Sequence, residues 1–220
     1  MGNIRAARVG FCAAVAAVGL VVSATPALAT NPAGVAALGS AQFTKAGVVS
    51  SVPTLAQCAV DGTATVSSGV VTQSGVKFGG GTSTCSTTVV DPETDATTTK
   101  SESLGSQFEL SALVTAGGPR VKISSYRVTC NATQTGTSAS WSYSGLTGLT
   151  GLPNPMPRDY VKEIKRTNGT LLATAKFNEV TLPVPNDGSI ALTMLRITFA
   201  PGSAITGEVV VGATACSPTP

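Results

Sequence analysis

The sequence predicts an all-β fold, an antiparallel β-sandwich or jelly-roll-like single domain, on three observations. From residue 41 onward the chain is rich in Val, Thr, Ser and Gly and poor in the runs of Leu, Glu, Lys and Ala that favour helices. Several short segments alternate apolar and polar side chains with a period of two, as strands with one buried face do. Clusters of Gly, Pro and Asn separate these segments at short intervals, which is typical of sandwiches.

The clearest alternating segments predict strands at residues 108–110, 140–144 and 195–199. Two longer segments change phase: their apolar side chains switch faces between Ile123 and Tyr126, and between Met194 and Leu195. An extra residue in a strand swaps the faces in this way, so both segments predict a β-bulge.

A β-hairpin is predicted around the Asn-Gly pair at residues 168–169, which can supply the positive φ angles of a two-residue type I′ turn. The register that this turn sets pairs Ile164 with Ala173 and Tyr160 with Phe177.

The first 29 residues are predicted to be a cleaved signal peptide. Two arginines precede an apolar run at residues 9–22, and Ala27 and Ala29 satisfy the small-residue rule of signal peptidase. The run is shorter than the roughly 20 residues that a transmembrane helix needs, which argues against a retained membrane anchor. Cys12 precedes most of the apolar run, which argues against a lipoprotein.

The mature chain is expected to form one domain of ordinary size. We expect a flexible segment at residues 30–40 with a weak helix candidate at residues 31–38, a disulfide-braced sandwich at residues 41–216, and a short tail at residues 217–220. The tail shows no sorting signal, and no transmembrane anchor is expected in the mature chain. Any attachment to a cell is therefore expected to be non-covalent.

Four cysteines remain after removal of the signal peptide: Cys58, Cys85, Cys130 and Cys216. An even number of cysteines in an exported chain predicts two disulfides and an extracellular, secreted protein. Three connectivities are open, and we favour Cys58 with Cys85 and Cys130 with Cys216. In the loop-entropy model each bridge stabilises the fold by roughly 3 to 4 kcal/mol, and the bridge that closes the longer second loop contributes somewhat more.

Charge and composition exclude several function classes. Removing the two arginines of the signal peptide from the 14 basic side chains leaves 12, against 11 acidic ones, so we expect no nucleic-acid partner. The chain has no histidine, which excludes His-dependent catalytic triads. The acidic side chains are scattered over turns and outward-facing strand positions. We therefore predict a protein that is not an enzyme, with no catalytic residue, no cofactor and no structural metal.

One acidic segment has partial calcium-loop spacing. Asp91, Glu93, Asp95 and Glu102 occupy positions 1, 3, 5 and 12 of such a loop, where oxygen ligands would surround a hard cation. Ala96 stands where the loop needs glycine, so a solvated acidic loop is the alternative. Because residues 91–103 are polar and threonine-rich, we expect a projecting loop or hairpin tip there.

Two further clusters have a functional and a structural interpretation. Trp141 and Tyr143 would stack a sugar ring if exposed, or pack in the core of a sandwich. The basic side chains of residues 158–166 would contact an anionic envelope polymer, or form an ordinary hairpin surface, since acidic neighbours dilute their charge.

Three stretches of the chain resemble the choice-of-anchor P family of exported surface proteins from high-GC Gram-positive bacteria. They are VKISSYRVTC at residues 121–130, ALTMLRITF at residues 191–199 and GEVVVGATAC at residues 207–216. The resemblance implies secretion, a β-rich surface domain and no enzymatic activity.

The expected function is that of a secreted or envelope-associated, non-enzymatic β-sandwich with a structural or binding role. The alternative is a soluble carbohydrate-binding or calcium-dependent adhesion module. The expected partner is a cell-envelope polymer or a glycan.

Overall fold

The computed structural model describes residues 31–219, and in them the chain forms two antiparallel sheets packed as a β-sandwich, as predicted. The predicted signal peptide at residues 1–29 lies outside the described residues.

Fourteen strands and two short 3-10 helices make up the described part of the chain. The strands are β1 Gly34–Lys45, β2 Val48–Leu55, β3 Cys58–Ala59, β4 Thr65–Ser68, β5 Val71–Gln73, β6 Val76–Phe78, β7 Gly81–Asp91, β8 Ala96–Leu110, β9 Val121–Thr133, β10 Gly136–Ser144, β11 Tyr160–Lys165, β12 Leu171–Thr181, β13 Ile190–Phe199 and β14 Ile205–Cys216. The 3-10 helices are Val114–Ala116 and Pro201–Ser203.

Each sheet contains seven strands. Sheet A has the order β11-β12-β13-β14-β1-β2, and β3 pairs with the start of β1. Sheet B has the order β10-β9-β8-β6-β5; β7 also pairs with β8, and β4 pairs with β7. The predicted strands at residues 108–110, 140–144 and 195–199 fall in β8, β10 and β13.

Strand β1 corrects the predicted flexible segment at residues 30–40 and the helix candidate at residues 31–38. The strand begins at Gly34 and lies between β14 and β2, so both of its edges are paired. Its first five residues are apolar or glycine and nearly all buried, which removes the alternation that marks a half-buried strand.

The hairpin of β11 and β12 has the predicted register but a different turn. Ile164 pairs with Ala173 and Tyr160 with Phe177, as predicted. The turn is not type I′, because only Gly169 of the Asn-Gly pair has a positive φ, 88°, and the Arg166 N–H donates to the Thr170 carbonyl. A bulge next to Ile164 absorbs the extra turn residue and restores the register.

Residues 91–103 are mostly strand, which corrects the predicted projecting loop. Only the turn between Asp91 and Ala96 forms a hairpin tip, and the rest belongs to β8. The predicted tail is also held in place. The Ser217 N–H donates to the Ala33 carbonyl, and the Thr219 hydroxyl donates to the Thr97 carbonyl.

Strands of both sheets swap faces along one line, which we call the crease. In sheet A the ladders pair Phe177 with Leu195 and Glu179 with Thr193, and skip the residue between on each strand. Neighbouring strands each skip one residue at the same position along the sheet. The pairing register is therefore kept, while the side chains that point into the core change from one alternating set to the other. Both predicted phase changes are therefore confirmed, but the predicted β-bulges are wrong, because one residue is skipped on each paired strand and neither strand carries an extra one. The skipped residues define the crease: Leu38, Asn178, Met194 and Gly212 in sheet A, and Gln107 and Ser124 in sheet B.

Two disulfides join the sheets on one side of the crease, with the favoured connectivity. Cys58 of β3 bonds Cys85 of β7, and Cys130 of β9 bonds Cys216 of β14. Their Cα atoms lie 5.6 and 5.9 Å apart, whereas packed sheets usually stand about 10 Å apart. The sandwich is therefore narrow on this side, which we call the disulfide half.

Small side chains fill the interior immediately around the two disulfides. A Cβ atom on Gly34 would come within 2.7 Å of the side chains of Thr99 and Val60, so only glycine fits there. Other inward residues around the bridges are also small: Ala36, Ser83, Thr99, Ser101, Ser103 and Thr214. Larger inward side chains, Tyr126, Val128 and Leu192, lie between the bridges and the crease.

Large apolar side chains fill the other side of the crease, which we call the aromatic half. Phe43 packs against Phe199 with ring centroids 5.2 Å apart, and Phe78 packs against Phe108 at 5.3 Å. Further core residues there include Leu110, Leu113, Ile123, Phe177, Leu195, Ile197 and Val209.

Candidate functional site

The four calcium candidates do not meet. Asp91 is at the hairpin tip, where its carboxylate accepts the Glu93 N–H at 3.0 Å and the Thr94 hydroxyl at 2.8 Å. Glu102 lies on β8, six residues beyond the strand start, which is about 20 Å along the strand. The calcium prediction is therefore corrected, because strand pairing replaces the loop that would have wrapped the ion. Residues 31–219 contain no cluster of three or more Cys, Asp or Glu side chains placed to hold a metal.

The Glu102 carboxylate instead forms ion pairs with two cationic side chains. Its carboxylate lies 3.2 Å from the Lys100 ammonium and 3.1 Å from the Arg127 guanidinium, and it accepts the Thr129 hydroxyl at 3.1 Å. Burial opposes ionisation, but the hydrogen bonds and charges of these neighbours outweigh it and lower the pKa of Glu102.

Glu109 and Glu179 have the same kind of environment. Burial opposes their ionisation, yet Arg120 and Lys122 lower the pKa of Glu109, and Arg196 and Lys176 lower the pKa of Glu179. A general acid needs a raised pKa, so these carboxyls are tuned in the opposite direction.

The basic side chains of residues 158–166 do not form one patch. Arg158 pairs with Asp159 at 3.1 Å, Lys165 pairs with Glu163 at 2.6 Å, and the Arg166 guanidinium donates to the Ala116 carbonyl at 2.8 Å.

Trp141 and Tyr143 lie at the edge of the sandwich. Both project inward from β10, the edge strand of sheet B, where alternation with exposed serines places them on one face. Their ring planes are 15° from parallel with centroids 5.7 Å apart, and Tyr143 is 6.5 Å from Phe177 of the core. Both side chains are half-buried, so they belong to the core on one side and reach solvent on the other.

Asn178 fixes the orientation of the indole ring. The Trp141 Nε1–H donates to Asn178 Oδ1 at 2.9 Å, and the Asn178 amide donates to the Met156 carbonyl at 3.5 Å. Asn178 is a crease residue with a φ of 54°, a conformation that asparagine tolerates better than most residues. The crease therefore turns this amide toward β10 and ties the two sheets to the connecting loop.

A cleft separates the aromatic pair from the loop after β10. Its volume is about 550 Å³, within the range of small-molecule sites. Trp141, Ser142 and Tyr143 line one wall, and residues 152–156 line the other. Among residues 31–219 the Tyr143 hydroxyl has no hydrogen-bond partner, and Ser142 is exposed. The cleft thus combines aromatic surface with hydroxyl groups.

Sequence reasoning identified the aromatic pair but missed the other wall of the cleft. Asn178 carried no sequence signal, because its role depends on the crease of a strand 37 residues away. In the loop after β10, the prolines at positions 153, 155 and 157 indicate a rigid connection. They do not indicate that the loop packs beside Trp141 and Tyr143.

Comparisons with family models, with curated proteins and with solved structures found no match to the chain. The resemblance to the choice-of-anchor P family therefore stays a prediction.

The disulfides indicate a compartment. Paired cysteines of this kind form and persist in oxidising environments, which indicates a protein located outside the cytoplasm. Within residues 31–219, no helix has the length and hydrophobicity to cross a bilayer.

Proposed function

We propose that the chain is a secreted or envelope-associated, non-enzymatic protein that binds a glycan in the cleft between β10 and residues 152–156. The observation that carries this proposal is the Trp141–Tyr143 pair, held at the sandwich edge with one side toward solvent. Aromatic rings at such sites pack on the apolar face of a sugar ring, and nearby polar groups hydrogen-bond its hydroxyls.

Three observations support a role in binding a sugar. The Ser142 and Tyr143 hydroxyls and the side chain of Asn154 provide polar groups around the aromatic surface. The indole orientation is preset by Asn178, so little side-chain entropy is lost on binding. The carboxyls of Glu102, Glu109 and Glu179 are held ionised by cations, which favours a binding role over acid catalysis.

Calorimetry of the oxidised protein with a panel of neutral cell-wall oligosaccharides tests the proposal. We expect one saturable site, lost in Trp141→Ala and weakened in Tyr143→Phe, which keeps the ring and removes only the free hydroxyl. Val161→Ala, at an exposed position of β11, is the matched control and should bind like the parent protein.

Circular dichroism and thermal unfolding establish that each variant is folded. Absence of heat with every glycan, or unchanged binding in Trp141→Ala and Tyr143→Phe, would refute the proposal.

A further inference from the structure

The outer face of sheet B is a hydroxyl-rich surface beside the cleft. Strand β10 exposes four serines on this face, and their neighbours across β9 are also polar. Ser144 and Ser125 are directly paired and share a hydrogen bond of 2.7 Å. The exposed serines of β10 are Ser138, Ser140, Ser142 and Ser144.

This face also carries more cations than carboxylates. Arg120 and Lys122 both pair with Glu109, so one carboxylate is shared by two cations. Lys100 and Arg127 share Glu102 in the same way. Lys77, opposite Glu109 in the ladder, has no ion pair among residues 31–219. Five cationic side chains therefore face two carboxylates. The acidic hairpin tip lies at the end of the sheet, beyond this cluster.

Two depressions flank the crease on this face, and we call them together the groove. On one side of Gln107 and Ser124 lies a depression of about 410 Å³ that includes Lys77 and Lys122. On the other side lies one of about 500 Å³ that includes Arg127. The second depression and the cleft are both lined by Ser142 and Tyr143, so the two adjoin at β10.

We propose that this groove, with its cations Lys77, Lys122 and Arg127, extends the cleft into a track for a linear anionic glycan. The inference rests on the proposed function, because it treats the aromatic cleft as one end of the same site. A single sugar would occupy the cleft, and the following acidic sugars would cross the outer face along the crease. Serine hydroxyls along β10 and β9 hydrogen-bond the sugar hydroxyls, and the surplus cations balance the carboxylates of the glycan.

Two ligands with one backbone test the charge requirement. Oligogalacturonate carries a carboxylate on each sugar, and its methyl ester has the same backbone without charge. We expect the acid form to bind more tightly at low salt, and its affinity to fall as NaCl is raised while that of the ester stays constant.

Lys122→Gln combined with Arg127→Gln should weaken binding of the acid form by about fivefold for each cation removed, and leave binding of the ester unchanged. Arg120 still pairs with Glu109 and Lys100 with Glu102 in this variant, so the fold is retained. Lys165→Gln on β11 is the matched control on the other sheet and should bind both ligands normally.

The outcomes separate this inference from the proposed function. Equal binding of acid and ester, or an unchanged affinity in the Lys122→Gln and Arg127→Gln variant, overturns the anionic track and leaves the cleft intact. Binding of the acid form that depends on the two cations but not on Trp141 supports the groove and refutes the cleft.

Discussion

The two halves of the sandwich are held together in different ways. In the aromatic half, phenylalanine and leucine side chains fill the space between sheets, and burial of apolar area stabilises the fold. Around the two bridges of the disulfide half, the sheets stand too close for large side chains, and Gly, Ala, Ser and Thr fill the interior. The contrast teaches that, next to the bridges, covalent bonds take the place of large apolar side chains in holding the sheets together.

The crease is the boundary between the disulfide half and the aromatic half. It changes which residues of each strand point inward, from the set that reaches the disulfides to the set that forms the aromatic core. At the edge of sheet B it also turns Asn178 toward Trp141 and opens a groove on the outer face. The proposed binding site therefore lies at the boundary and uses rigid elements from both halves.

Removal of a disulfide should have the largest effect. The Cys130–Cys216 bridge closes the longer loop, with a sequence separation of 86 against 27 for Cys58–Cys85. Cys130→Ala with Cys216→Ala should lower the free energy of unfolding by about 4 to 5 kcal/mol, and the Cys58 and Cys85 pair by about 3 to 4 kcal/mol. Urea unfolding of the oxidised proteins measures both. A loss below about 1 kcal/mol for either pair would show that packing already holds this half together.

A truncation in the aromatic half should cost nearly as much. Phe177→Ala removes a fully buried ring and leaves a cavity, so we expect a loss of about 3 to 5 kcal/mol in the free energy of unfolding. Val161→Ala on the paired strand is half-exposed and should change it by no more than about 0.5 kcal/mol. Similar losses for the two variants would contradict a core centred on this half.

Tyr126 should show an intermediate effect, because it stands beside the crease. Its hydroxyl donates to the Leu38 carbonyl at 2.8 Å from the opposite sheet, and its ring covers Gly105, where a Cβ would lie 2.1 Å from it. Tyr126→Phe leaves a buried carbonyl without its donor and should lower the free energy of unfolding by about 1 to 3 kcal/mol. Chemical denaturation measures this loss, and a fully neutral substitution would mean that the carbonyl finds another donor.

The smallest effect is expected inside the disulfide half. The Ser101 hydroxyl is fully buried and has no hydrogen-bond partner among the described residues. Ser101→Ala removes an unsatisfied polar atom at nearly constant volume, so stability should stay equal or rise by up to about 1 kcal/mol. A clear loss in thermal unfolding would show that the hydroxyl is bonded and that this interior is a polar network.

Local sequence patterns predicted the strands that have one buried and one solvent-exposed face. The alternation in β10 and β13, the face swaps after Ile123 and Met194, and the hairpin register at Ile164 are all visible in sequence. Strand β1 was missed because its first residues are buried on both faces and show no alternation. They are small for a long-range reason, the approach of β8. Only one wall of the cleft could be predicted from the sequence: the aromatic pair Trp141 and Tyr143 indicates either a sugar-stacking surface or core packing. Residues 152–156 and Asn178 contact this pair only through tertiary structure, so local patterns do not reveal them.

The most direct test of a binding site at the boundary uses the single tryptophan of the chain. In a two-dimensional NMR titration with a neutral cell-wall oligosaccharide that binds in calorimetry, its indole N–H gives one signal. The account predicts saturable shifts of that signal, of Ser142, Tyr143 and Asn178, and of residues 152–156, with amides beside the disulfides unchanged. Shifts confined to residues around the two disulfides, or an indole signal that does not move at saturation, would contradict it.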